Sequence, residues 1–384
     1  MPQIELIATA AFGIEAVVAR ELTALGLTDH TVENGRVIVR CDLDAIPQAN
    51  LWLRSADRVL LKIGSFKAVT FDELFEKTKA LPWADWLPRD ANFPVTGKSV
   101  KSQLHSVPDC QAIVKKAVVE SLRRQYKCAW FEETGPLYRI EVALLKDEVT
   151  LTIDTSGSGL HRRGYRPLVG AAPLRETLAA AMIMLSYWNK DRALLDPLCG
   201  TGTIPIEAAM IGANMAPGLR RRFAAETWPI LPQQLWQNAR AQAQESIGDL
   251  KDLRIFGSDI DGEALGLARH HAELAGVSEA VRFQKLPVAE VRSRFKYGCV
   301  ICNPPYGERI GDRKSAGAIY QDMKDAFARL DSWSFYILTS HPNFERVFDQ
   351  KATRRRKLYN GRIEVTYYQF IGPKPPATVP HLAP

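Results

Sequence analysis

Five consecutive residues, Asn303-Pro304-Pro305-Tyr306-Gly307, carry the most specific chemistry in this sequence. They follow the apolar run Cys299-Val-Ile-Cys302, which reads as a buried strand. Two prolines cannot extend a strand ladder, so the chain leaves its sheet at the carboxyl edge, where open α/β sheets bind ligands. An amide, a fixed carbonyl and an aromatic ring held together match a planar amino group on an aromatic base. The Asn303 side-chain oxygen and the Pro304 carbonyl can each accept one N–H. Those bonds strengthen as the nitrogen turns pyramidal and its lone pair attacks an electrophile, so they favour the transition state. Tyr306 would stack on the base. In-line displacement at a sulfonium methyl needs no strong general base, because the proton is lost after attack. The competing reading of the same residues is a structural turn.

A second run offers a cofactor of that kind. Asp196-Pro197-Leu198-Cys199-Gly200-Thr201-Gly202-Thr203 follows an apolar strand and opens a helix. Gly200 and Gly202 allow close backbone approach and positive φ. No Lys-Ser/Thr follows them, and a third glycine is missing, so neither a triphosphate loop nor a dinucleotide fingerprint is complete. Asp196 opposes a bound phosphate and suits a cation, such as the amino-acid end of S-adenosylmethionine. Asp259, with Ile260 after it, ends the next strand, where a carboxylate accepts the ribose hydroxyls of an adenosine. It lies far past the ~20 residues usual after a glycine loop. The intervening stretch 214–250 reads as an inserted basic loop, with Arg220, Arg221 and Arg222, followed by a second helix. Asp261 reads as the cap of the next helix. Glu207 reads equally as a ligand or as a structural carboxylate.

The elements that must hold these residues form a βαβ series from position 172 onward. Strands are expected at 193–198, 254–260, 280–284, 299–302 and 334–339, with helices at 174–187, 203–212, 262–275 and 316–330. That alternation indicates a parallel sheet with helices on both faces. Two extended runs around Asn360-Gly361 then add an antiparallel hairpin at 356–370. Before position 160 the pattern is a mixed α+β module. Strands are expected at 3–8, 33–40 and 58–64, helices at 14–25 and from Asp44, and a hairpin of 138–145 with 148–154. Residues 109–127 form an amphipathic helix, with Val114, Ala117, Val118 and Leu122 on one face. Lys115, Lys116, Arg123, Arg124 and Lys127 crowd its remainder. The Gly/Ser/Pro-rich stretch 155–172, with Arg162, Arg163 and Arg166, reads as a basic hinge, its arginines either solvated or in contact with a phosphate backbone or with the following domain.

Composition bounds the rest. The 384 residues suffice for two or three domains, and 50 Lys and Arg against 43 Asp and Glu leave a net charge of +7, which suits a polyanionic partner. No apolar run reaches the ~18 residues of a membrane span, and charges interrupt any signal-peptide core, so a cytoplasmic protein is expected. The six scattered cysteines do not form a disulfide framework. Cys299 and Cys302 lack the second pair that a metal site needs, so no metal is expected.

The runs at 173–180, 196–203, 258–261 and 303–307 occur in the order seen in class I methyltransferases of the THUMP-containing RNA methylase family. The stretches Gly159-Leu-His-Arg-Arg-Gly-Tyr-Arg166 and Pro108-Asp-Cys-Gln-Ala-Ile-Val-Lys115 resemble that family too. The similarity spans almost the whole chain. It is nearest to bacterial large-subunit (23S) rRNA guanine-N2 methyltransferases, including the N-terminal half of a longer bifunctional form; the N7-methylation of that form's second half is not expected of these residues. The resemblance implies a ferredoxin-like segment at 1–44, a THUMP RNA-binding domain at 45–155, the hinge at 156–172, a Rossmann-like methyltransferase domain at 173–372 and a tail to 384. It also implies S-adenosylmethionine as cofactor and rRNA, free or in an assembly intermediate, as partner. Asp196, Gly200, Gly202 and Asp259 carry over as cofactor positions, with Pro197, Cys199, Thr201 and Ile260 beside them. Asn303, Pro304 and Tyr306 carry over as the amine-methylating set. Lys115, Lys116, Arg123, Arg124, Arg162, Arg163 and Arg166 are the expected RNA contacts. One departure stands out: Pro287 occupies the position where an acidic residue commonly binds the adenine amine, leaving backbone or Glu290 for that contact. Asn-Pro-Pro-Tyr chemistry also fits adenine N6 of DNA or a protein glutamine amide, and a non-catalytic RNA-binding assembly factor remains the reading from another class.

Overall fold

The computed structural model describes residues 3–166, 174–305 and 313–376. The chain divides into two compact units. Met1–Ala10, Val18–Leu160 and Arg221–Gln242 form the first, and Ala11–Val17, His161–Arg220 and Ala243–Pro384 the second.

In the first part of the chain, strands β1 (Ile4–Thr9), β2 (His30–Glu33), β3 (Arg36–Cys41), β4 (Arg58–Lys67), β5 (Val95–Val100), β6 (Ile140–Leu145) and β7 (Glu148–Asp154) alternate with helices α1 (Glu15–Ala24), α2 (Ala45–Trp52), α3 (Phe71–Lys79) and α4 (Val107–Tyr126). The strands make one seven-stranded sheet in the order β2-β3-β1-β4-β7-β6-β5. Strand β4 is the joint: Arg58–Lys62 pairs β1 and Leu60–Lys67 pairs β7, both antiparallel. A single sheet therefore runs through both segments expected from the sequence. Lys146 and Asp147 close the β6–β7 hairpin with φ of +53° and +66°, the two left-handed residues a tight hairpin turn requires. Strand β5 and helix α3 were not expected, and β5 pairs β6 in parallel. The long helix expected from Asp44 ends at Trp52 after eight residues. Its exit is fixed by buried Glu21, which accepts the Arg54 N–H at 2.7 Å and the Ser55 N–H at 3.1 Å.

The Gly/Ser-rich stretch at 155–160 is a packed part of this unit, which its composition did not suggest. Asn50 donates to Thr155 Oγ1 at 2.9 Å, and Ser156 donates to Asn50 Oδ1 at 2.7 Å. Part of the insertion after the glycine loop packs here as well. Trp228 stacks on Tyr138 with ring centroids 4.5 Å apart and donates to the Leu137 carbonyl at 3.0 Å. Buried Arg221 donates to the Ser158 and Gly159 carbonyls, each at 2.6 Å.

The second unit carries helices α5 (Glu176–Met184) and α6 (Thr203–Gly212); α7 (Gln233–Glu245) follows in the chain. Strands β8 (Leu194–Asp196), β9 (Ile255–Asp259), β10 (Val281–Lys285), β11 (Cys299–Cys302), β12 (Ser334–Thr339), β13 (Arg354–Asn360) and β14 (Ile363–Phe370) come with helices α8 (Gly262–Ala275), α9 (Arg313–Phe327) and α10 (Phe344–Phe348). The sheet order is β10-β9-β8-β11-β12-β14-β13. The first five strands are parallel, and β14 and β13 are antiparallel, as the hairpin signal predicted. All four residues of β11 are buried, which agrees with the buried-strand reading of Cys299 and Cys302. Helix α6 is apolar apart from Thr203 and Glu207 and is buried over its first eight residues, the composition of a helix covered all round.

Candidate cofactor and acceptor site

Strand order brings the chemistry together. Strands β9, β8 and β11 are neighbours, so Asp259, Asp196 and Asn303 stand side by side at the carboxyl edge of the sheet. The chain turns to opposite sides after β8, and that switch point is where an open parallel sheet leaves a crevice. The crevice is a cleft of about 430 Å³, lined by Asp196, Gly200, Thr201, Asp261 and Asn303 among others.

Asp196 is 2% exposed, and its carboxylate accepts the Leu198 N–H at 3.2 Å. Burial, reinforced by the negative charge of Asp259 and only partly offset by that hydrogen bond, holds its carboxyl well above the usual carboxylate range. A cation placed beside it would restore its ionised form. Asp259 clamps the glycine loop: one oxygen accepts the Gly200 N–H at 2.8 Å, and the other accepts the Asp261 N–H at 3.0 Å. Asp261 caps α8 through the N–H groups of Glu263 and Ala264, as expected.

The two loop glycines have different reasons to be glycine. Gly200 has φ +50° and open space where a Cβ would stand, beside the cleft. Gly202 has φ +83°, and a Cβ there would meet Phe283 Cζ at 2.9 Å and the Ala268 Cβ at 3.0 Å. Cys199 lines the cleft, while Pro197, Gly202, Asp259, Ile260 and Pro304 are not among its lining residues. Pro304 is buried, and Ile260 is 62% exposed. Tyr306 lies outside the described residues.

A chain of hydrogen bonds anchors the Asn-Pro-Pro turn. The His341 N–H donates to Thr339 Oγ1 at 3.1 Å, Thr339 and Tyr320 hydroxyls lie 2.9 Å apart, and the Tyr320 hydroxyl donates to the Pro305 carbonyl at 3.1 Å. A backbone N–H can only donate and a carbonyl only accept, so the polarity of the whole chain is determined. Tyr320 and Thr339 are fully buried. No sequence signal links residues this far from the turn.

The basic residues expected to meet RNA divide. Arg163 is 3% exposed and donates to both carboxylate oxygens of buried Glu207, from Nε at 3.3 Å and from Nη2 at 3.2 Å. Tyr165 donates to Glu207 at 3.1 Å, and burial, with Glu207 next to it, pushes that phenol well up. Arg166 pairs with buried Glu176 at 2.9 Å. Arg163 and Arg166 therefore meet carboxylates of the domain that follows them, one of the alternatives the sequence left open, and are not presented to a phosphate backbone, which corrects their place among the expected RNA contacts. Buried carboxylates claimed them, which composition could not reveal; Glu207 is correspondingly structural. On α4, Lys115 lies 3.5 Å over the Phe93 ring and pairs with Glu133 at 2.6 Å. Arg123 pairs with Glu120 at 2.7 Å. Lys116, Arg124 and Arg162 are exposed. Trp130, which the sequence reading did not single out, is 74% exposed just beyond this helix.

Three family patterns match successive parts of the chain. The RlmL ferredoxin-like domain pattern matches residues 5–60, the THUMP domain pattern 68–154, and the RMKL-like methyltransferase domain pattern 163–369. YpsC of Bacillus subtilis, which bears the name of an RNA methyltransferase, is 50% identical over 372 residues, covering 96% of each chain. Ribosomal RNA large subunit methyltransferase K/L of Psychromonas ingrahamii is 33% identical over 95% of this chain and 50% of its own length. Among solved structures, a Listeria monocytogenes protein described as an N6-adenine-specific DNA methylase superposes with TM-score 0.93 at 52% identity, covering 97% of both chains. SMU.472, a protein described as a methyltransferase whose structure holds S-adenosylhomocysteine, superposes with TM-score 0.93 at 44% identity over 98% of this chain and all of that one.

Proposed function

We propose, for a chain that belongs to the RMKL-like methyltransferase family, that it methylates the exocyclic N2 amine of a guanine in large-subunit (23S) rRNA. At the coarser level the protein is an S-adenosylmethionine-dependent RNA methyltransferase. The observation that supports methylation of an amine is that Asn303 faces the same cleft as Asp196 and Gly200; the choice of guanine N2 in rRNA rests on the family resemblance. An amine acceptor and a cofactor would then meet across a few ångströms.

The residues fit the cofactor. Asp196, a buried carboxylate that accepts the Leu198 N–H, suits the cationic amino-acid end. Asp259, already ordered by Gly200 and Asp261, keeps further acceptor capacity on each oxygen for ribose hydroxyls. S-adenosylmethionine, when bound, supplies an electrophilic methyl on a positive sulfur. The Asn303 side-chain oxygen and the Pro304 carbonyl accept the two amine N–H bonds and draw the nitrogen out of conjugation with the ring. Its lone pair forms the N–C bond as the C–S bond breaks and its electrons return to sulfur, and the amine proton then passes to water. Tyr306 is the proposed stacking surface for a base flipped out of its helix. Exposed Lys116, Arg124 and Arg162 are the proposed backbone contacts, and their binding would be salt-sensitive.

Adenine N6 is the second reading, because the Asn-Pro-Pro set accepts either amine and a close structural relative bears that description. Incubation with tritiated S-adenosylmethionine and separate pools of unmodified rRNA, tRNA and DNA, followed by nucleoside analysis, distinguishes the two. Label in N2-methylguanosine from large-subunit rRNA is the expected result, and label in N6-methyladenine would overturn it. Asn303→Ala should abolish transfer while largely keeping cofactor affinity.

A further inference from the structure

Strands β10 and β11 are parallel members of one sheet, and such a crossover ordinarily carries a helix that covers a face of the sheet. Here the link carries only a three-residue 3₁₀ turn, Val288–Glu290. A second cleft, of about 450 Å³, lies here against β9 and β10. Side chains alternate along a strand, and β9 shows which face this is. A Cβ at Gly257 would meet Phe283 and Cys199, on the side of α6 and α8. Phe256 points the other way, onto Phe295, with ring centroids 5.6 Å apart. The second cleft therefore opens on the side of the sheet away from the glycine loop.

Its chemistry is one-sided. Phe256 and Phe295 form an aromatic floor, and exposed Arg282, Arg292 and Arg294 stand among the lining residues. No acidic residue is among those lining it, and none of the three arginines forms an ion pair among the described residues. Arg294 and Arg254 lie 5.4 and 5.7 Å from the Phe295 ring centroid. Buried Ser258, whose hydroxyl has no hydrogen-bond partner, also lines the cleft. Guanidinium groups without ion pairs around a pair of aromatic rings suit a polyanion that also has flat faces to stack.

We propose that this cleft binds a single-stranded stretch of the substrate RNA outside the reaction site, with phosphates on Arg282, Arg292 and Arg294 and a base against Phe295. The proposal rests on the reading of the protein as an RNA methyltransferase, and the two fail separately. The test compares the full chain with an Arg282→Ala/Arg292→Ala/Arg294→Ala variant by fluorescence anisotropy. The probes are a labelled single-stranded large-subunit rRNA fragment and the same fragment annealed to its complement, each across a salt series. Three single-strand contacts at a slope of about 0.7 each predict a salt dependence shallower by about 2, and affinity lower by about 10–50-fold at 0.15 M salt. S-adenosylhomocysteine affinity, measured by calorimetry, should be unchanged, since none of the three arginines lines the cofactor cleft. Phe295→Leu should weaken the single strand about tenfold and the duplex hardly at all, with the melting temperature as its folding control. An unchanged slope and affinity in the triple variant would overturn the proposal. So would intact RNA binding accompanied by lost self-association in sedimentation, which would assign the face to a second copy of the chain. A wild-type chain that bound no RNA would instead overturn the RNA reading itself.

Discussion

Substituting alanine at each glycine of the loop separates cofactor binding from packing. Both positions are left-handed, at φ +50° for Gly200 and +83° for Gly202, and an L-residue there costs roughly 1–2 kcal/mol. At Gly200 nothing lies within 4 Å of the added carbon, so the backbone term stands alone. At Gly202 the methyl group would press on Phe283 at 2.9 Å and Ala268 at 3.0 Å. Phe283 is held in β10 and Ala268 in α8, so neither can swing aside as a flexible chain end would. Overpacking of this kind adds about 1–3 kcal/mol, for a total of about 2–5 kcal/mol. With about 2–4 °C of melting temperature per kcal/mol for a unit of this size, Gly202→Ala should melt about 5–15 °C lower. Gly200→Ala should lose only a few degrees but bind S-adenosylhomocysteine poorly, because its methyl group stands in the cofactor cleft. Thermal melts and calorimetric titration of both variants provide the check. A Gly202→Ala protein at least as stable as Gly200→Ala would refute the assignment of Gly202 to packing.

Asp196→Asn should raise the melting temperature of the ligand-free protein at neutral pH. A carboxyl with a raised folded-state pKa makes the fold lose stability as pH rises from the unfolded value towards the folded one, and asparagine removes that loss; unchanged or lower stability would contradict it. The same variant should bind S-adenosylmethionine about 10–100-fold more weakly, as expected for a lost charged hydrogen bond. In the wild type, binding a cation beside Asp196 should release a proton, so affinity should climb by up to tenfold per pH unit below the ligand-free pKa and level off above it; a flat profile from acid to neutral pH counts against Asp196 as the cation's partner. Arg163→Met should destabilise the protein by about 3–5 kcal/mol by stranding the Glu207 carboxylate, and denaturant midpoints measure this. Tyr320→Phe keeps the ring but frees the Pro305 carbonyl, and one such bond is worth about 1–3 kcal/mol. Its kcat should fall about 5–100-fold at unchanged cofactor affinity, and full turnover would show that the turn does not need this anchor.

How far the site could be read from the chain follows from the range of the interactions involved. Asp196, Gly200, Asp261 and Asn303 were legible because local chemistry betrays them. A strand that ends, a glycine that must take positive φ, a cap two residues before its N–H partner and two prolines that end a ladder are all contained within a few neighbouring residues. The alternation of strands and helices and the Asn360-Gly361 hairpin were legible for the same reason. For the basic stretch at 162–166 the sequence left solvent, a phosphate backbone and the following domain all open, because it displays charge and hides its partner: Glu207 lies 44 residues from Arg163 and meets it only inside the folded unit.

Tertiary structure alone decided the rest. Gly202 is needed by Phe283, 81 positions away, and its packing is invisible until β10 is laid beside β9. The Pro305 carbonyl is fixed by a tyrosine and a threonine from α9 and β12. The stretch at 221–242 joins a unit remote in sequence because Trp228 finds a ring to stack on and Arg221 finds carbonyls to satisfy its guanidinium. The amino-acid sequence by itself determined which groups could perform the chemistry and at which strand ends they would emerge, since backbone sterics and hydrogen-bond accounting act between near neighbours. Which charges face solvent, which glycines serve packing and which distant side chains steady the acceptor turn depend on burial and on contacts between elements, and those exist only once the chain has closed on itself.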